Sequence, residues 1–576
     1  MDNVQKPARY TGGEINSVKK TFTDQRTSVL LAYPDTYEIG MSYLGFKILY
    51  HLLNERDDIQ CERAFMPWED MRLELRRNGV KLFSLESKRD ISSFDIVGFS
   101  LAYELSYTNV LEMLSLGGIT IRSSERKDDE PLVIAGGTSA YNPEPMSAFI
   151  DAFLLGDGEE ALPVFIDEYK KIKAATSDRK KILKHLVRLP GVYVPSFYEA
   201  KYAGGKYLGL YPLFEDVPSS IRRSTVTDFE HSYYPVKQIT PITRIIHDRI
   251  AVEIMRGCPH KCRFCQASFT NTPLRTRTIG RVMEICKATY ENTGYDRISL
   301  LSLSSVNYPH LAELVKEIIK EFDSLGVGVS IPSLRVDEKF YALPEMMSTL
   351  RKTGLTFAPE SADDGIRKAI RKDIDTEVLC KSASLAYEHG WRRLKLYFMV
   401  GFPVESIDDE VKKIAYLARH LSDLKRIVSS GAAEIKVSVN PFIPKAHTPL
   451  QWVGIRKKED LIRAKNILIA SSTRKVSIEI HDIPQSILEA CISRGNRKTG
   501  EVIFKAWTLG ARLDSWADFF DFNIWEKAFS DAGMNIYDEA YRRYSFDEKL
   551  PWDHIDTGIA KDVLIEEFKK SGFKLT

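Results

Sequence analysis

The second half of the sequence alternates between apolar strand-like runs and amphipathic helix-like runs, and this alternation restricts the fold more than any other feature. Six strand-helix units follow one another from RIAVEIM at 249–255 to EIKVSVNPFIP at 434–444. Repeated units of this kind build parallel sheets, because each crossover helix returns the chain to begin the next strand in the same direction. Six units are too few to close a complete (β/α)8 barrel. They therefore predict a partial (β/α)6 barrel over residues 246–455.

A similar alternation occupies residues 1–165. Five strand-like runs separated by helical segments lie between residues 28 and 160. They predict an open, doubly wound parallel sheet of the flavodoxin-like kind, which binds ligands beyond the carboxyl ends of its strands. Turns that contain glycine follow these ends: PDTYEIG at 34–40, GFS at 98–100, AGG at 135–137 and GDGEE at 156–160. The glycines indicate either close approach of a large flat or phosphate-bearing ligand, or only tight strand-to-helix turns.

The remaining segments predict a linker and a helical extension. Residues 166–245 contain aromatic strand-like runs around a GG turn, which is typical of a linker with a small hairpin. Residues 456–576 have a helical pattern and are rich in aromatic side chains, so we expect a helical C-terminal domain. A chain of 576 residues suits several domains, and 44% apolar with 28% charged residues is the balance of a folded globular protein.

Charge and the N-terminal sequence narrow the setting. The 81 basic and 79 acidic residues leave a formal charge of +2, which does not support nucleic acid as a partner. The sequence has neither the pattern of a secretory signal nor an apolar run long enough to span a bilayer, so we expect a cytoplasmic protein without membrane contact. In that reducing compartment the seven cysteines predict metal binding or catalysis rather than disulfides.

Three of the cysteines lie within eight residues, directly after the first strand of the predicted barrel. The stretch EIMRGCPHKCRFCQAS at 253–268 contains Cys258, Cys262 and Cys265. Three thiolates leave one coordination position open for water, substrate or cofactor, whereas four would close a structural site. Zinc bound with the help of His260 is one alternative, although structural zinc sites usually draw ligand pairs from separated segments. An electron-transfer ferredoxin is another, but it needs a fourth thiolate. The other cysteines lie in apolar stretches typical of a core: Cys61, Cys286, Cys380 and Cys491.

The C-x3-C-x2-C loop, with Phe264 just before its third cysteine and a partial barrel around it, resembles the radical S-adenosylmethionine (SAM) superfamily. The resemblance implies that the three thiolates hold a [4Fe–4S] cluster whose fourth iron binds SAM. An electron from the cluster then splits SAM into methionine and a 5′-deoxyadenosyl radical, which abstracts hydrogen from a substrate. The resemblance also implies a reductant such as flavodoxin or ferredoxin as a partner.

The same resemblance implies a set of SAM-binding residues at the strand ends: Phe264, Ser302, Ser304, Arg335, Glu360 and Gly401. The two serines lie in SLLSLSSVNY, where the commoner glycine-glycine-glutamate is absent. For Arg335 and Glu360, an ion pair that caps the barrel is an equal alternative. Gly401 matches the fifth-strand glycine motif that packs near adenine in the superfamily.

Appendages after the barrel often shape the substrate pocket in radical SAM enzymes. We therefore expect Arg494 and Arg497 of this region to face the substrate, together with His447, which follows the sixth strand. A loop hydrogen bond is the alternative for His447, and an N-cap or a domain-interface role is the alternative for the two arginines. The tryptophans nearby are better explained as ordinary core.

The N-terminal domain resembles the cobalamin-binding domains of the methyltransferase-like radical SAM subclass. The implied cobalamin contacts lie in the turns that follow the strands: Tyr37, Glu38, Gly98, Ser100, Gly136, Gly137, Gly156, Gly158 and Glu159. The D-x-H-x-x-G signature, whose histidine ligates cobalt from below, is absent. Stretches such as RYTGGEINSVKK, KTGLTFAPES and PFIPKAHTPLQW are similar to an uncharacterised group of cobalamin-domain radical SAM proteins.

These resemblances predict a radical SAM enzyme and leave its reaction open. With cobalamin bound, the expected chemistry is methyl transfer to an unreactive carbon or phosphorus centre. Without cobalamin, a methylthiotransferase or a rearrangement or ring-closing enzyme is the alternative. A non-enzymatic metal- or cobalamin-binding module is the competing class.

Overall fold

The structure is a computed structural model that describes residues 3–23, 25–331 and 355–575. Its N-terminal sheet has six strands in the order β2-β1-β3-β4-β5-β6. The strands are β1 (Thr27–Tyr33), β2 (Ile59–Phe65), β3 (Ile96–Ser100), β4 (Leu132–Gly136), β5 (Ala152–Leu154) and β6 (Val192–Tyr193). The first five are parallel, which confirms the predicted flavodoxin-like sheet, and β6 from the predicted linker adds an antiparallel edge.

Helices cover this sheet, and its central strands are largely buried. The helices of the domain are Ala8–Thr11, Tyr37–Gly40, Leu44–Asn54, Glu69–Asn78, Tyr107–Gly117, Gly158–Ala175 and Arg179–Leu186. All seven residues of β1 are buried, as expected for a strand with both faces covered. The outer strand β2 is buried as well, because the N-terminal segment packs over it and Glu14 pairs with Arg63 at 3.0 Å.

The predicted hairpin follows the N-terminal sheet. It consists of β7 (Tyr198–Ala203) and β8 (Lys206–Pro212), which pair antiparallel. Gly204 and Gly205 form the turn with positive φ values of 53° and 80°, a conformation that favours glycine. The short strand β9 (Ile221–Arg222) comes next.

The second region is built from parallel strands that neighbour each other in chain order. Seven parallel strands form two described sets, β10-β13-β14 and β15-β16-β17-β18. Their bounds are β10 (Ile250–Glu253), β13 (Arg297–Leu301), β14 (Gly328–Ser330), β15 (Leu355–Glu360), β16 (Arg393–Val400), β17 (Glu434–Pro441) and β18 (Val476–Ile480). The antiparallel pair β11 (Met255–Arg256) and β12 (Arg275–Thr276) lies beside the cysteine loop. This arrangement agrees with a partial barrel.

Helices connect these strands, and the strand-helix alternation runs further than the sequence suggested. The helices are Gln266–Thr270, Ile279–Thr293, Leu311–Phe322, Asp364–Ala369, Thr376–Glu388, Ile407–Val428 and Lys458–Ala470. The helix Lys458–Ala470 and β18 lie in the segment expected to be purely helical. The five-residue run VSIEI of β18 alternates between buried and exposed side chains, a weak signal because it is so short.

The rest of the C-terminal part is helical, as predicted. Its helices are Ile483–Ser493, Arg497–Leu509, Phe522–Asp531, Ile536–Tyr541 and Lys561–Ser571, and the short strand β19 (Ile555–Asp556) pairs with β9. It packs against the carboxyl edge of the N-terminal sheet, where Trp516 donates to Asp35 at 2.9 Å and Thr108 donates to Asp514 at 2.6 Å. None of the helices in the described ranges has the length and apolar character needed to cross a membrane.

Candidate functional site

The cysteine loop, residues 257–265, begins directly after β11 and ends at a short helix. Gly257 has a φ of 93°, and a Cβ there would lie 2.7 Å from the carbonyl oxygen of Asn271, so this turn requires glycine. At the other end, the Cys265 N–H donates to the carbonyl oxygen of Cys262 at 3.0 Å, and Cys265 is the N-cap residue of the helix Gln266–Thr270. The loop is therefore a compact turn at the carboxyl end of the first barrel strand.

None of the three cysteines of this loop forms a disulfide in the described part of the chain, and their chemistry suits an iron–sulfur cluster. Cys262 is buried, whereas Cys258 and Cys265 are partly exposed. Thiolates from one short loop are the donor set that such clusters use. Across the described ranges, no three Cys, His, Asp or Glu side chains already converge as metal ligands, so the thiols must turn toward one another to share a cluster.

The hydrogen bond of His260 argues against a role as a fourth metal ligand. Its Nε2 donates to Asn307 Oδ1 at 2.5 Å, and the same oxygen accepts from Ser304 Oγ at 2.8 Å. Asn307 therefore joins the end of the second barrel strand to the cysteine loop. Sequence reasoning missed Asn307, for which the only signal was a polar residue soon after a predicted strand. Ser302, the other predicted serine, pairs with Ser305 at 2.9 Å.

Glu360 ends β15 in an unusual backbone conformation. Its φ is 66°, in the left-handed region that residues other than glycine seldom adopt and that recurs at functional sites. Its Oε1 accepts from Lys372 Nζ at 3.1 Å. Glu360 is thus paired with Lys372, and the expected ion pair of Glu360 with Arg335 stays a prediction. Arg335, the other predicted rim residue, lies outside the described residues.

The turn at Gly401 follows β16 and depends on glycine. Its φ is 90°, and a Cβ there would lie 3.0 Å from Arg456 Cβ. The Gly401 N–H donates to Glu410 Oε2 at 3.1 Å. Burial raises the pKa of Glu410 to about 8, so this carboxyl group is largely protonated at neutral pH. Phe264 packs against the apolar cluster that contains Phe402, next to this turn.

An ion-pair network connects the cysteine loop to the N-terminal domain. Arg256, two residues before Cys258, contacts Glu159 at 2.6 Å, Glu253 at 2.8 Å and Asp157 at 3.2 Å. Arg275 of β12 contacts Asp157 at 2.6 Å. Burial alone would raise the pKa of Asp157, but the two guanidinium groups outweigh it and hold that pKa below its ordinary value. The GDGEE turn therefore binds barrel arginines.

The strand-end glycines predicted to contact cobalamin lie close to other parts of the protein, where a side chain would meet neighbouring atoms. A Cβ would lie 2.6 Å from Leu101 O at Gly137 and 2.1 Å from Ser224 O at Gly156. The other glycines face neighbours at 3.0 to 3.5 Å, namely Gly136 toward Leu154, Gly158 toward Leu49 and Gly98 toward Ile134. These contacts favour the second explanation of the turns, tight packing without a ligand.

Three of the four polar residues predicted for cobalamin have partners within the protein. Tyr37 donates to Glu14 at 3.0 Å, and Glu38 accepts from Arg9 at 2.9 Å. Ser100 is half-buried at the end of β3, and Glu159 belongs to the Arg256 network. Tyr37, Glu38 and Glu159 thus have partners within the protein, and the assignment of the nine positions to cobalamin stays a prediction. That cofactor would have to displace these contacts or bind elsewhere on the sheet edge.

Two of the residues predicted to face substrate are hydrogen bonders between domains. The buried His447 Nε2 donates to the carbonyl oxygen of Tyr141 at 3.0 Å, and burial lowers the pKa of His447 to about 4. Arg497 donates to Glu144 at 2.7 Å and to Tyr193 Oη at 2.9 Å. The protein takes up these donors, which favours the alternatives of a hydrogen-bonding role for His447 and an interface role for Arg497, and their substrate role stays a prediction.

Arg494, the third predicted residue, is also buried. Its Nη2 donates to the carbonyl oxygen of Arg542 at 2.6 Å, and its guanidinium carbon lies 4.8 Å from the ring centre of Tyr544. Its Nε and Nη1 have no hydrogen-bond partner among the described residues. Two buried donors of Arg494 are thus left without a described partner, and its substrate role stays a prediction.

A cavity of about 690 Å³ lies beside Cys258. Pockets of about 300 to 1,000 Å³ are the usual size for small-molecule sites. The cysteine loop forms one wall, and the linker and the C-terminal domain form others. Its polar lining consists of Arg222, Arg223, Thr225, Lys261, Thr272 and Thr557. Three parts of the chain thus enclose one space next to a thiol of the cysteine loop.

Family models and proteins of known sequence match this chain. A family model described as "Radical SAM proteins, N-terminal" matches residues 45–195, and one described as "Radical SAM superfamily" matches residues 252–417. An uncharacterised protein of Methanocaldococcus jannaschii is 25% identical over 480 residues, which is 83% of this chain and 90% of that protein. The [FeFe] hydrogenase maturase subunit HydE of Thermotoga maritima is 22% identical over 274 residues, covering 46% of this chain and 70% of that protein.

A solved structure has a similar fold over most of the chain. It is the radical SAM methyltransferase TsrM from Kitasatospora setae, with cobalamin and a [4Fe–4S] cluster bound. The TM-score is 0.51 at 12% identity, and the match covers 88% of this chain and all of TsrM. A partial barrel with three cysteines after its first strand defines a SAM-cleaving class of iron–sulfur protein. The chain is a radical SAM protein with an N-terminal region of cobalamin-binding-like fold.

Proposed function

We propose that this radical SAM enzyme holds its cluster on Cys258, Cys262 and Cys265 and acts on a molecule bound in the neighbouring cavity. The observation that carries the proposal is the position of the cysteine loop, at the carboxyl end of β10 and open to that cavity through Cys258. When bound, the cluster and SAM supply the 5′-deoxyadenosyl radical. The choice of substrate then rests with the residues of the cavity.

The chain's own contribution is to position the loop and to exclude water. Gly257 turns the chain off the first strand, and Arg256 ties that strand to the N-terminal domain. Asn307 holds the loop against the second strand end through His260. The C-terminal segment around Thr557 forms a further wall of the cavity. A reactive radical needs this enclosure, because water and stray hydrogen donors would quench it.

Anaerobic reconstitution tests the proposal. We expect about four irons and four sulfides per chain and release of 5′-deoxyadenosine after reduction with a flavodoxin, a ferredoxin or a chemical reductant. The Cys262→Ala variant should lose both. Stoichiometric zinc without SAM cleavage would contradict the proposal and support a metal-binding module instead.

Cobalamin-dependent methyl transfer is a second candidate, supported by the fold that the chain shares with TsrM. Bound cobalamin would carry a methyl group from SAM to an unreactive carbon or phosphorus centre. The contacts within the predicted cobalamin turns favour the alternative, a radical SAM reaction that does not use this cofactor. Incubation with hydroxocobalamin followed by gel filtration distinguishes the two. A cobalamin spectrum that stays with the protein, in both the wild type and Cys262→Ala, would establish cobalamin binding and support the methyltransferase subclass.

A further inference from the structure

We infer that the cavity beside Cys258 binds a small organic anion, one that carries a carboxylate or phosphate group, through Arg222 and Lys261. The inference rests on the proposed function, because it names the class of substrate that this site takes. It follows from the charge of the cavity wall, from the donors left available there and from the size of the space.

The wall of the cavity is cationic. Arg222, Arg223 and Lys261 line it, and no aspartate or glutamate does so among the described residues. Cations that repel one another in a partly enclosed space favour an anionic ligand.

The three cations differ in how far the protein already uses them. Arg223 is buried and donates to the carbonyl oxygens of Thr557 and Thr272, so it contributes charge to the wall rather than a free donor. Arg222 is 74% exposed and makes an ion pair with Asp556 at 3.0 Å. Lys261 Nζ donates to Ser268 O at 2.9 Å, and an ammonium group has three protons to donate. Arg222 and Lys261 are therefore the groups that can reach a ligand.

The geometry of the donors suits an oxyanion. A guanidinium group presents paired N–H donors that match the two oxygens of a carboxylate or phosphate, and an ammonium group adds a point charge. The hydroxyl groups of Thr225, Thr272 and Thr557 lie around the same space. A volume of about 690 Å³ holds a small molecule, and Cys258 in the wall places that molecule next to the cluster loop.

Isothermal titration of the reconstituted full-length protein tests the inference. The probes are pyrophosphate for a phosphate ligand and succinate for a carboxylate ligand, each against sodium chloride at equal ionic strength. We expect one of the two to bind at one site per chain, and Arg222→Gln to weaken binding about tenfold, as loss of a charged hydrogen bond does. Asp556→Asn should bind as tightly as the wild type or more tightly, because it frees Arg222 and keeps the acceptor for Gly558 N–H.

Arg426→Gln is the matched control, since Arg426 is 66% exposed and has a comparable ion pair with Asp423 at 3.1 Å on a distant helix. The inference would be overturned if Arg426→Gln weakened anion binding as much as Arg222→Gln does. It would also be overturned if Asp556→Asn weakened anion binding to the same extent. Binding no stronger than that of chloride would overturn it too, as would displacement of the anion by SAM, which would make the cavity part of the SAM site. SAM cleavage assayed in parallel keeps the two ideas apart. Cleavage without anion binding refutes the anion site alone, and anion binding without cleavage refutes the proposed enzyme.

Discussion

Replacing Arg256 by methionine should detach the cysteine loop from the N-terminal domain. The guanidinium group contacts three carboxylates, those of Glu159, Glu253 and Asp157, at 2.6 to 3.2 Å. The Arg256 side chain is 12% exposed, and those of its partners are 10 to 23% exposed. Removing one partner of a buried ion pair costs about 3–5 kcal/mol. Because these partners keep some solvent and Asp157 keeps Arg275, we expect the low end, about 3 kcal/mol.

Urea unfolding of the cluster-free protein at pH 7, followed by tryptophan fluorescence and circular dichroism, measures this loss. Arg426→Met is the control, because its single exposed ion pair is worth less than about 1 kcal/mol. If Arg256→Met unfolds at the same urea concentration as the control, the network does not stabilise the interface. Iron bound after reconstitution gives a second measure, and we expect Arg256→Met to bind less.

The same network predicts a response to acid. The pKa of Asp157 is lowered in the folded chain, so its stabilising contribution is present above the unfolded value of about 3.9 and is lost as pH falls through the folded value. Removing Arg256 takes away one of the two cations that lower this pKa. In Arg256→Met the acid transition that Asp157 contributes should therefore move to higher pH. An unchanged acid transition would refute this account of the network.

Three further predictions concern single side chains. Cys262→Ala should abolish cluster assembly, whereas Cys286→Ala should still assemble the cluster. Burial raises the pKa of the Cys286 thiol to about 12, so this thiol is unreactive. Equal loss of iron in both variants would contradict the assignment of the cluster ligands. Burial lowers the pKa of His447 to about 4, so between pH 6.5 and 4 the unfolded chain binds a proton that the native chain does not. The free energy of unfolding of the wild type should therefore decrease as the pH falls from 6.5 to 4. In His447→Gln this decrease should be smaller by about 2–3 kcal/mol, as read from urea midpoints. Burial raises the pKa of Glu410 to about 8, so the stability of the wild type should decline as the pH rises from 4.5 to 8. Glu410→Gln should show a flatter dependence on pH, and parallel profiles of the two proteins would refute this prediction.

Local patterns were enough to identify both sheets and the cysteine loop. The apolar runs of β1 to β5, of β10 and of β13 to β17 have the pattern of buried parallel strands, and that signal lies within each segment. The spacing of Cys258, Cys262 and Cys265 is likewise a property of eight consecutive residues. The strand β18 was not predicted, because five alternating residues after a helix carry little periodic signal.

The sequence by itself therefore determined the order of strands and helices and the chemistry of the three thiols. Only the tertiary structure decided what the polar turns contact. Glu159 meets Arg256, 97 residues later, and Arg497 meets Glu144, 353 residues earlier. A carboxylate after a strand or an arginine on a helix can bind a ligand or another domain with the same hydrogen-bonding groups. The choice depends on which distant segment packs there, and no pattern within a short stretch encodes that neighbour.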